Sequence, residues 1–384
     1  MNIGIDARLY GLEHAGIGRY IINIVEHLAK IDQKNQYTLF LRDKYFHTLK
    51  LPHNFKKIKT DVRHYTLKEQ LVMRKVFRQS NLDLVHIPHF NVPILYERPF
   101  VVTIHDLLWH QVKGPNVTTL SPLMYSIKHL AYRFVVHCAL YNSANILVPS
   151  NWVKIQILHH SKVSPSKIKV TYEGIEEIFS SKTKTIDLKS AISDLDFSLP
   201  FIVYTGSAYP HKNVRLLIKA IKKINQQTRL QLVLVGSRSV FLSNLKLFIS
   251  QEQIASKVIF AGFLSDKQLI SLYRQAKILV HPSISEGFGL TGLEAMAVGL
   301  PVLASKAGSL PEIYSDAATY FDPTDLDGLT GKIRTLLTDK QLRQKLITKG
   351  KKRTKQFSWE TTAKKTLKVY SQVVSKQHQF TTRI

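Results

Sequence analysis

Two glutamates around a glycine-rich turn are the residues of this sequence best suited to bind a polar ligand. Glu286 and Glu294 flank Gly287, Phe288, Gly289 and Leu290, and the short apolar run 278–280 precedes them. We predict a strand for that run and a helix that begins just after Gly289, whose free N–H groups favour a phosphate. Ionised carboxylates only accept hydrogen bonds and so suit hydroxyls. Phosphate and hydroxyls together indicate a nucleotide sugar.

A second loop has the same placement between a predicted strand, 201–204, and a predicted helix. Its small residues Gly206 and Ser207 let the backbone approach a ligand, and Lys212 places a cation at the mouth of the helix. A diphosphate fits there. Taken alone, a lysine after a proline turn is as readily a surface residue, but the Glu286 segment favours the binding interpretation.

Two further motifs lie in the first half of the chain. Gly16 and Gly18 open a predicted helix and form half of a dinucleotide fingerprint, although a plain tight turn explains them equally well. His105 and Asp106 follow a predicted strand and could contact substrate or shuttle a proton, although a lone histidine is often structural.

Metal chemistry finds little support in the sequence. The pairs at 194–196 and 325–327 match Asp-X-Asp, but one lies in a polar segment and the other at a predicted helix start, where acids are favoured anyway. The single cysteine, Cys138, excludes a disulfide framework and a cysteine-based metal site. We therefore expect no metal ion.

The net charge of +27 over 384 residues requires an explanation. Nucleic acid, an anionic membrane surface and phosphorylated substrates would each account for it, and so would simple solubility. The lysines are scattered and no RNA-binding module is present, which argues against nucleic acid. Residues 67–78 could form a basic amphipathic helix on a membrane, or an ordinary helix packed on a sheet. With neither a signal peptide nor an apolar span, we expect a cytoplasmic protein.

Strands and helices alternate along the chain, which predicts an α/β fold with two Rossmann-like doubly wound domains. We place the first domain at 1–176, a polar linker at 177–199, the second domain at 200–357, and a terminal helix and tail at 358–384. Ser358 is a plausible cap for that helix. Predicted strands lie near 3–5, 37–41, 82–87, 100–104, 146–148, 201–204, 232–235, 258–260, 278–280 and 301–303.

These motifs resemble the retaining glycosyltransferases of family 4. The second domain carries Glu286-Gly287-Phe288-Gly289 with Glu294, and Lys212-Asn213 also matches. The first domain matches through Gly16-Ile17-Gly18, His105-Asp106 and Glu173-Gly174. The resemblance covers nearly the whole chain. It implies the GT-B architecture, in which the two domains face each other across a cleft and a terminal helix crosses back to the first.

The resemblance also implies roles for individual residues. Glu286 would bind sugar hydroxyls, Glu294 the ribose and Lys212 the diphosphate, while His105 would face the sugar. The donor-site residues implied are Gly16, Gly18, Gly206, Ser207, Lys212, Gly287, Phe288, Gly289, Leu290 and Glu294, with Asp106 and Arg19 as acceptor candidates. Many relatives carry arginine where this chain has Ser207 and often where it has His211, so the source of the second countercharge is open, with Arg19 and Arg215 as candidates.

The reaction implied is transfer of a hexose with retention, without a cofactor or metal, to a glycan or lipid-linked acceptor, as in cell-surface polysaccharide synthesis. GDP-mannose is the first donor candidate, and UDP-glucose or a UDP-N-acetylhexosamine follows. A sugar-nucleotide epimerase, a phosphorylase and a non-catalytic nucleotide-sugar binder share the fold. The phosphorylase would need a pyridoxal-binding lysine context, which the sequence lacks.

Overall fold

The computed structural model describes residues 1–108, 121–181, 184–236 and 241–381. These residues form two compact units. The first unit contains the described residues of 1–174 together with the C-terminal segment from 358, and the second contains Ile175–Phe357.

The first unit is built on a parallel sheet of seven strands in the order β3-β2-β1-β4-β5-β6-β7. The order reverses between β1 and β4, which is the signature of a doubly wound fold. The strands are β1 (Asn2–Asp6), β2 (Gln36–Leu41), β3 (Phe55–Lys59), β4 (Leu84–Ile87), β5 (Phe100–Thr103), β6 (Asn145–Val148) and β7 (Ile168–Val170).

Helices cover both faces of this sheet, as a parallel sheet with buried strands requires. The helices of the main body are α1 (Ala15–Ile31), α2 (Asp43–Thr48), α3 (Leu67–Gln79), α4 (Pro122–Asn142) and α5 (Asn151–His160). Helix α1 packs in the core on one face. Helices α3, α4 and α5 contribute Met73, Phe77, Val136 and Ile157 to the core on the opposite face.

The second unit repeats the plan with six parallel strands in the order β10-β9-β8-β11-β12-β13. These strands are β8 (Phe201–Thr205), β9 (Gln231–Val235), β10 (Val258–Gly262), β11 (Leu279–His281), β12 (Val302–Ser305) and β13 (Ala318–Phe321). The order reverses between β8 and β11. Ligands of such sheets bind outside the carboxyl ends of the strands at this reversal.

Three helices of the second unit begin at residues whose side chains satisfy their first N–H groups. Ser265 forms a full capping box with Gln268, and Asp325 and Asp339 cap the following helices. The helices are α6 (Glu177–Ser180), α7 (Val214–Asn225), α8 (Leu242–Gln251), α9 (Asp266–Gln275), α10 (Leu290–Val298), α11 (Leu310–Tyr314), α12 (Leu326–Thr338) and α13 (Lys340–Thr354).

The C-terminal helix α14 (Trp359–Thr381) belongs to the first unit, as the sequence predicts. The hydroxyl of Ser358 accepts a hydrogen bond from the amide of Thr361 at 3.4 Å. Trp359 and Tyr370 are buried in the same core as α1. The tail therefore completes the apolar cover of one face of the first sheet.

The structure corrects the description of 177–199 as a polar linker. Phe179, Leu188, Ile192 and Leu195 are all buried, and the segment belongs to the second unit. Most residues of the segment are polar, but these four apolar side chains are spaced so that each reaches the core. We now assign the described part of this segment to the second unit.

All ten predicted strands are present, but the sequence analysis missed three more. These are β3, β7 and β13, and each lies at the edge of its sheet. Edge strands are covered by a neighbour on one side only, so they need fewer apolar residues; β3 reads Phe-Lys-Lys-Ile-Lys.

The basic segment 67–78 does form a helix, α3, and it packs on the sheet. Met73 and Phe77 are buried, whereas Leu67 and Leu71 are exposed. No helix among the described residues is long and apolar enough to span a membrane.

Candidate active site

The loops that follow β8 and β11 meet where the strand order of the second sheet reverses. The β8 loop carries Lys212 and leads into α7, and the β11 loop carries Glu286 and leads into α10. The amide of Ile284 donates to the backbone oxygen of His211 at 2.8 Å and joins the two loops directly. Side chains that are 74 residues apart in sequence are thereby brought into contact.

Three donors converge on one oxygen of Glu286. Nζ of Lys212 lies 2.6 Å from Oε1, Nε2 of His281 lies 2.9 Å from it, and Oγ of Ser283 donates to it at 2.7 Å. The Glu286 side chain is 12 % exposed. Among the described residues, the second oxygen, Oε2, has no hydrogen-bond partner. One oxygen is therefore fixed and the other is available to a ligand.

Electrostatics keep Glu286 ionised. Burial alone would raise its pKa, but the charge of Lys212 and the hydrogen bond from His281 outweigh burial and hold the pKa well below the ordinary 4.5. Neighbouring His211 is held uncharged, because burial and the charge of Lys212 lower its pKa to about 4. His211 is therefore neutral at physiological pH and does not replace the arginine of many relatives.

His281 is held between two oxygen atoms. Tyr314 donates its hydroxyl proton to the backbone oxygen of Gly289 at 2.6 Å, because a carbonyl can only accept. Nδ1 of His281, 2.8 Å from that hydroxyl, must then be the donor. Nε2 faces the Glu286 carboxylate, which also only accepts. Both ring nitrogens thus face groups that are placed to accept a hydrogen bond.

Close contacts with the backbone of Gly308 and Ser309 hold the Glu286 loop in place. Gly308 has φ +61°, and a Cβ there would lie 2.5 Å from the amide nitrogen of Glu286. The amide of Ser309 donates to the backbone oxygen of Glu286 at 3.1 Å. A Cβ on Gly292 would lie 2.2 Å from Oη of Tyr314. Glycine at both positions lets three segments converge behind the carboxylate.

The predicted helix start at Gly289 is confirmed. Gly289 adopts φ +100° as the N-cap of α10, and it has no side chain that could satisfy the first-turn N–H groups. Leu290 is the first residue of the helix, and Glu294 lies one turn later and is buried. Phe288 is buried, with its ring centroid 5.6 Å from that of Phe357.

Gly206 and Ser207 lie in the β8 loop as predicted. A Cβ on Gly236 would lie 2.0 Å from the backbone oxygen of Gly206, so the ends of β8 and β9 are tightly apposed. The backbone oxygen of Ser207 accepts from the hydroxyl of Tyr204 at 2.6 Å. Arg215 lies over the ring of Phe248 at 5.0 Å, on the helical layer.

The remaining predicted residues belong to the first unit. Gly16 and Gly18 lie in the first turn of α1, where a Cβ on Gly18 would lie 1.8 Å from the backbone oxygen of Gly11 and one on Gly16 would meet open space. Arg19 follows on α1 and is partly buried, and Asp106 is exposed and accepts from the amide of Leu108.

His105 is positioned by three groups of the first unit. Its Nε2 donates to the backbone oxygen of Pro88 at 3.1 Å, and its Nδ1 lies 3.4 Å from Oε1 of Glu173. The ring packs edge-on against Tyr20, with centroids 4.8 Å apart. Glu173, noted in the sequence only as part of a motif, is thus the carboxylate beside this histidine.

The Asp-X-Asp pairs serve structural purposes. Asp325 caps α12 by accepting from the amide of Gly328 at 2.8 Å, and Asp196 accepts from both the amide and the hydroxyl of Ser198. Within the described ranges, no group of three or more histidine, cysteine, aspartate or glutamate residues could hold a metal ion.

Sequence reasoning missed the residues that support Glu286. None of Ser283, His281 and Tyr314 is named in the sequence analysis. A histidine that ends a buried strand five residues before a candidate carboxylate was the available signal for His281. Tyr314 lies 28 residues beyond Glu286, and only the folded chain brings it close.

Family models of glycosyltransferases match both halves of the chain. The family model for group 1 glycosyl transferases matches residues 186–353, and the model for glycosyltransferase family 4 matches residues 14–177. The chain is 26 % identical to the O-antigen chain mannosyltransferase B of Escherichia coli over 92 % of this chain and 95 % of that protein. It is 28 % identical to the O-antigen chain mannosyltransferase RfbU of Salmonella typhimurium over 68 % of this chain and 67 % of that protein.

The fold is likewise shared with solved structures. HepE from Anabaena, solved in complex with UDP and glucose, superposes with a TM-score of 0.74 at 21 % identity over 97 % of this chain and all of that one. At that identity the likeness establishes the fold alone. Together with the two family models, which match residues in both units, it leads to one conclusion. This chain belongs to glycosyltransferase family 4 and has the two Rossmann-like domains of the GT-B fold.

Proposed function

We propose that the protein transfers a hexose from a nucleotide-diphosphate sugar to a glycan or lipid-linked glycan, with retention and without a metal ion. Mannose is the first candidate for that hexose. The observation that carries the proposal is the arrangement of Glu286. Its carboxylate is ionised, one oxygen is held by three donors, and the other has no partner among the described residues. An ordered carboxylate of this kind discriminates well between hydroxyl patterns.

The diphosphate belongs, in this proposal, beside the start of α10. Gly289 leaves the first-turn N–H groups without a side-chain cap, and the helix dipole favours an anion there. Lys212 is the nearby cation. Its ammonium has three protons and gives one of them to Glu286, so two remain for phosphate oxygens.

The chemical step needs stabilisation of the leaving nucleoside diphosphate. As the sugar bond breaks, negative charge grows on the phosphate and positive charge on the sugar. Lys212 and the N–H groups of α10 stabilise the negative charge on the phosphate, and each well-placed donor contributes on the order of 3 kcal/mol. Glu286 orients the sugar. Retention follows if the acceptor attacks from the face that the diphosphate leaves, with a phosphate oxygen taking the acceptor proton.

The second countercharge needs another source, because Ser207 is uncharged and His211 is neutral. With His281 protonated, two positive groups face the single negative charge of Glu286. The pocket then carries a net positive charge toward a dianionic ligand. We assign the second countercharge to His281 and not to Arg215, which lies over Phe248.

The choice of mannose rests on the two O-antigen mannosyltransferases, which share 26 % and 28 % identity with this chain. The HepE complex, which contains UDP and glucose, keeps a UDP-sugar donor as the alternative. We assign acceptor recognition to the first unit, where the acceptor candidates Asp106 and Arg19 lie.

The proposal is tested first by thermal shift with GDP-mannose, UDP-glucose and UDP-N-acetylglucosamine. A true donor at 100 times its dissociation constant should stabilise the protein by about 2.7 kcal/mol. Transfer is then assayed with that donor and a mannoside or lipid-linked acceptor. Product that forms without an acceptor would indicate an epimerase, and binding without turnover would indicate a non-catalytic binder.

Variants connect the activity to the site. Lys212→Ala and Glu294→Gln should abolish transfer while the protein stays folded. Asp327→Asn, a change at an exposed carboxylate of the same unit, is the control and should keep full activity. Normal turnover in either site variant would refute the donor-site assignment.

A further inference from the structure

Exposed apolar side chains of the first unit are concentrated on one side of its sheet. Among the described residues, twelve large apolar side chains of this unit are exposed, and nine of them lie on α3, α4 and α5. Two more of the twelve, Tyr65 and Leu95, lie in loops beside α3. The remaining one, Leu12, lies away from these helices. The opposite helical layer, formed by α1 and α14, exposes none among its described side chains.

Helix α4 is apolar on two opposite faces. Its inner face carries Tyr132, Val136, Ala139 and Leu140, which are buried in the core. At about 100° per residue, a second row lies about 180° from Tyr132. This row, which we call the exposed stripe, consists of Leu123, Ile127, Leu130, Phe134 and Tyr141, whose exposed fractions run from 41 % to 73 %.

The exposed stripe runs along most of a helix of 21 residues. Leu123, Ile127, Leu130 and Phe134 follow one another at spacings of four, three and four, and Tyr141 lies seven positions further, beyond exposed His137. Such a helix is about 30 Å long. Contiguous exposed apolar surface of this extent marks an interaction site on a soluble domain, whereas single exposed apolar residues do not.

The surface beside this row is basic. Residues 121–172, which include α4 and α5, contain six lysines and arginines and no aspartate or glutamate. On α4, exposed Arg133 lies about 80° from the stripe and exposed Lys128 about 140° from it, and Lys68 and Lys75 lie exposed on α3. The acid of α3, Glu69, is buried against Arg8 at 2.8 Å and does not offset this charge at the surface.

We propose that the exposed stripe docks on an anionic lipid surface, with the apolar side chains inserted among the lipids and the flanking cations at the headgroups. Apolar rows flanked by lysine and arginine bind membranes by this combination of burial and attraction. The proposal goes beyond sugar transfer, and it would bring the enzyme to a lipid-linked acceptor. It assigns the principal contact to α4 and not to α3, the helix that the sequence indicates.

A second copy of the chain is the competing occupant, because the spacing of the stripe also resembles a coiled-coil seam. Charge argues against it. Two copies joined through α4 would bring together two acid-free basic surfaces on molecules that each carry +27. An anionic lipid surface removes that repulsion.

Co-sedimentation of the full-length protein with vesicles tests the proposal. Vesicles of phosphatidylcholine alone are compared with equal mixtures of phosphatidylcholine and phosphatidylglycerol, at low and high salt. The stripe variant is Ile127→Ser/Leu130→Ser/Phe134→Ser. The matched control, Leu247→Ser/Phe263→Ser, removes exposed apolar side chains from the second unit.

We expect the wild type and the control to bind the anionic vesicles, with weaker binding at high salt. The stripe variant should bind about a thousandfold more weakly, since each of the three lost apolar side chains is worth roughly tenfold. Equal binding of the stripe variant and the wild type, or equal binding to both kinds of vesicle at low salt, would overturn the proposal. A wild-type dimer in sedimentation velocity that the stripe variant lacks would show that a second copy is the occupant.

Two further measurements keep the outcome decisive. The nucleotide thermal shift, measured on the same preparations, reports donor binding separately, so failure of the proposed function and failure of lipid docking can be told apart. If the triple variant does not fold, Leu130→Cys labelled with an environment-sensitive fluorophore replaces it, because the single native cysteine, Cys138, is buried. The label should shift to the blue on anionic vesicles, and an unchanged spectrum would contradict insertion.

Discussion

Nζ of Lys212 lies 2.6 Å from Oε1 of Glu286, and this contact joins the loops that follow two neighbouring strands of the second sheet. The lysine side chain is 23 % exposed and the glutamate 12 %. A cation expected to serve the diphosphate and a carboxylate expected to serve the sugar are therefore one electrostatic unit. Neither can be changed without affecting the other.

A double-mutant cycle should measure this coupling. Lys212→Met should lower the free energy of unfolding by about 1–3 kcal/mol, because it leaves a buried carboxylate with weaker compensation. Glu286→Gln should lower the free energy of unfolding by less, since the lysine side chain can turn toward solvent. Urea unfolding of both singles and the double should yield an interaction energy of about 0.5–3 kcal/mol. The exposed pair Lys223 and Asp327 is the control and should show little coupling. Strict additivity at the Lys212–Glu286 pair would contradict the contact.

The protonation of His281 can be observed directly. Its two ring nitrogens face the hydroxyl of Tyr314 and the carboxylate of Glu286, both of which are placed to accept. Long-range proton–nitrogen NMR spectra at neutral pH should therefore contain one histidine ring that is protonated on both nitrogens. Glu286→Gln should return that ring to a neutral tautomer. A wild-type spectrum in which every ring carries a single proton would exclude this arrangement and the proposed countercharge.

Two glycines in helices should respond in opposite ways to the same substitution. Gly292→Ala places a Cβ 2.2 Å from Oη of Tyr314, and the Tyr314 hydroxyl also contacts His281. Destabilisation of about 1–3 kcal/mol is expected, together with weaker donor binding. Gly331→Ala meets open space in α12 and should stabilise by about 0.5–1 kcal/mol through helix propensity. Thermal unfolding measures both; a stable, fully active Gly292→Ala would show that the helix can shift at no cost.

The first unit should lose stability in mild acid because of His86. Burial, with the charge of His105, lowers the pKa of His86 to about 3, whereas an unfolded histidine titrates near 6.5. Between these values the unfolded chain binds the extra proton, so this contribution is fully present above about pH 6.5 and falls as the pH drops toward 3. Urea unfolding between about pH 7.5 and 5 should show the loss. His86→Gln should remove only its own share of the dependence, because burial also lowers the pKa of His64 and His89 to about 3, and the exposed His159→Gln should leave the dependence unchanged.

Much of the fold could be predicted from the sequence because its signals are local. The strands at the centre of each sheet are short apolar runs, which the hydrophobic pattern of the sequence reveals. The strands that were missed, β3, β7 and β13, lie at sheet edges, where one-sided cover weakens the apolar signal. Residues 177–199 were misjudged because polar residues outnumber the four apolar residues that reach the core.

The sequence by itself predicted which residues would bind a sugar nucleotide: the carboxylates at 286 and 294, the lysine at 212 and the glycine that caps α10. Only the tertiary structure decided which atoms these residues contact. It placed Lys212 on Glu286, supported Glu286 with His281, and held His281 through Tyr314. The physical reason is that a sequence motif records residue types along one segment. A protonation state and a net charge depend on which atoms of distant segments come within hydrogen-bonding distance.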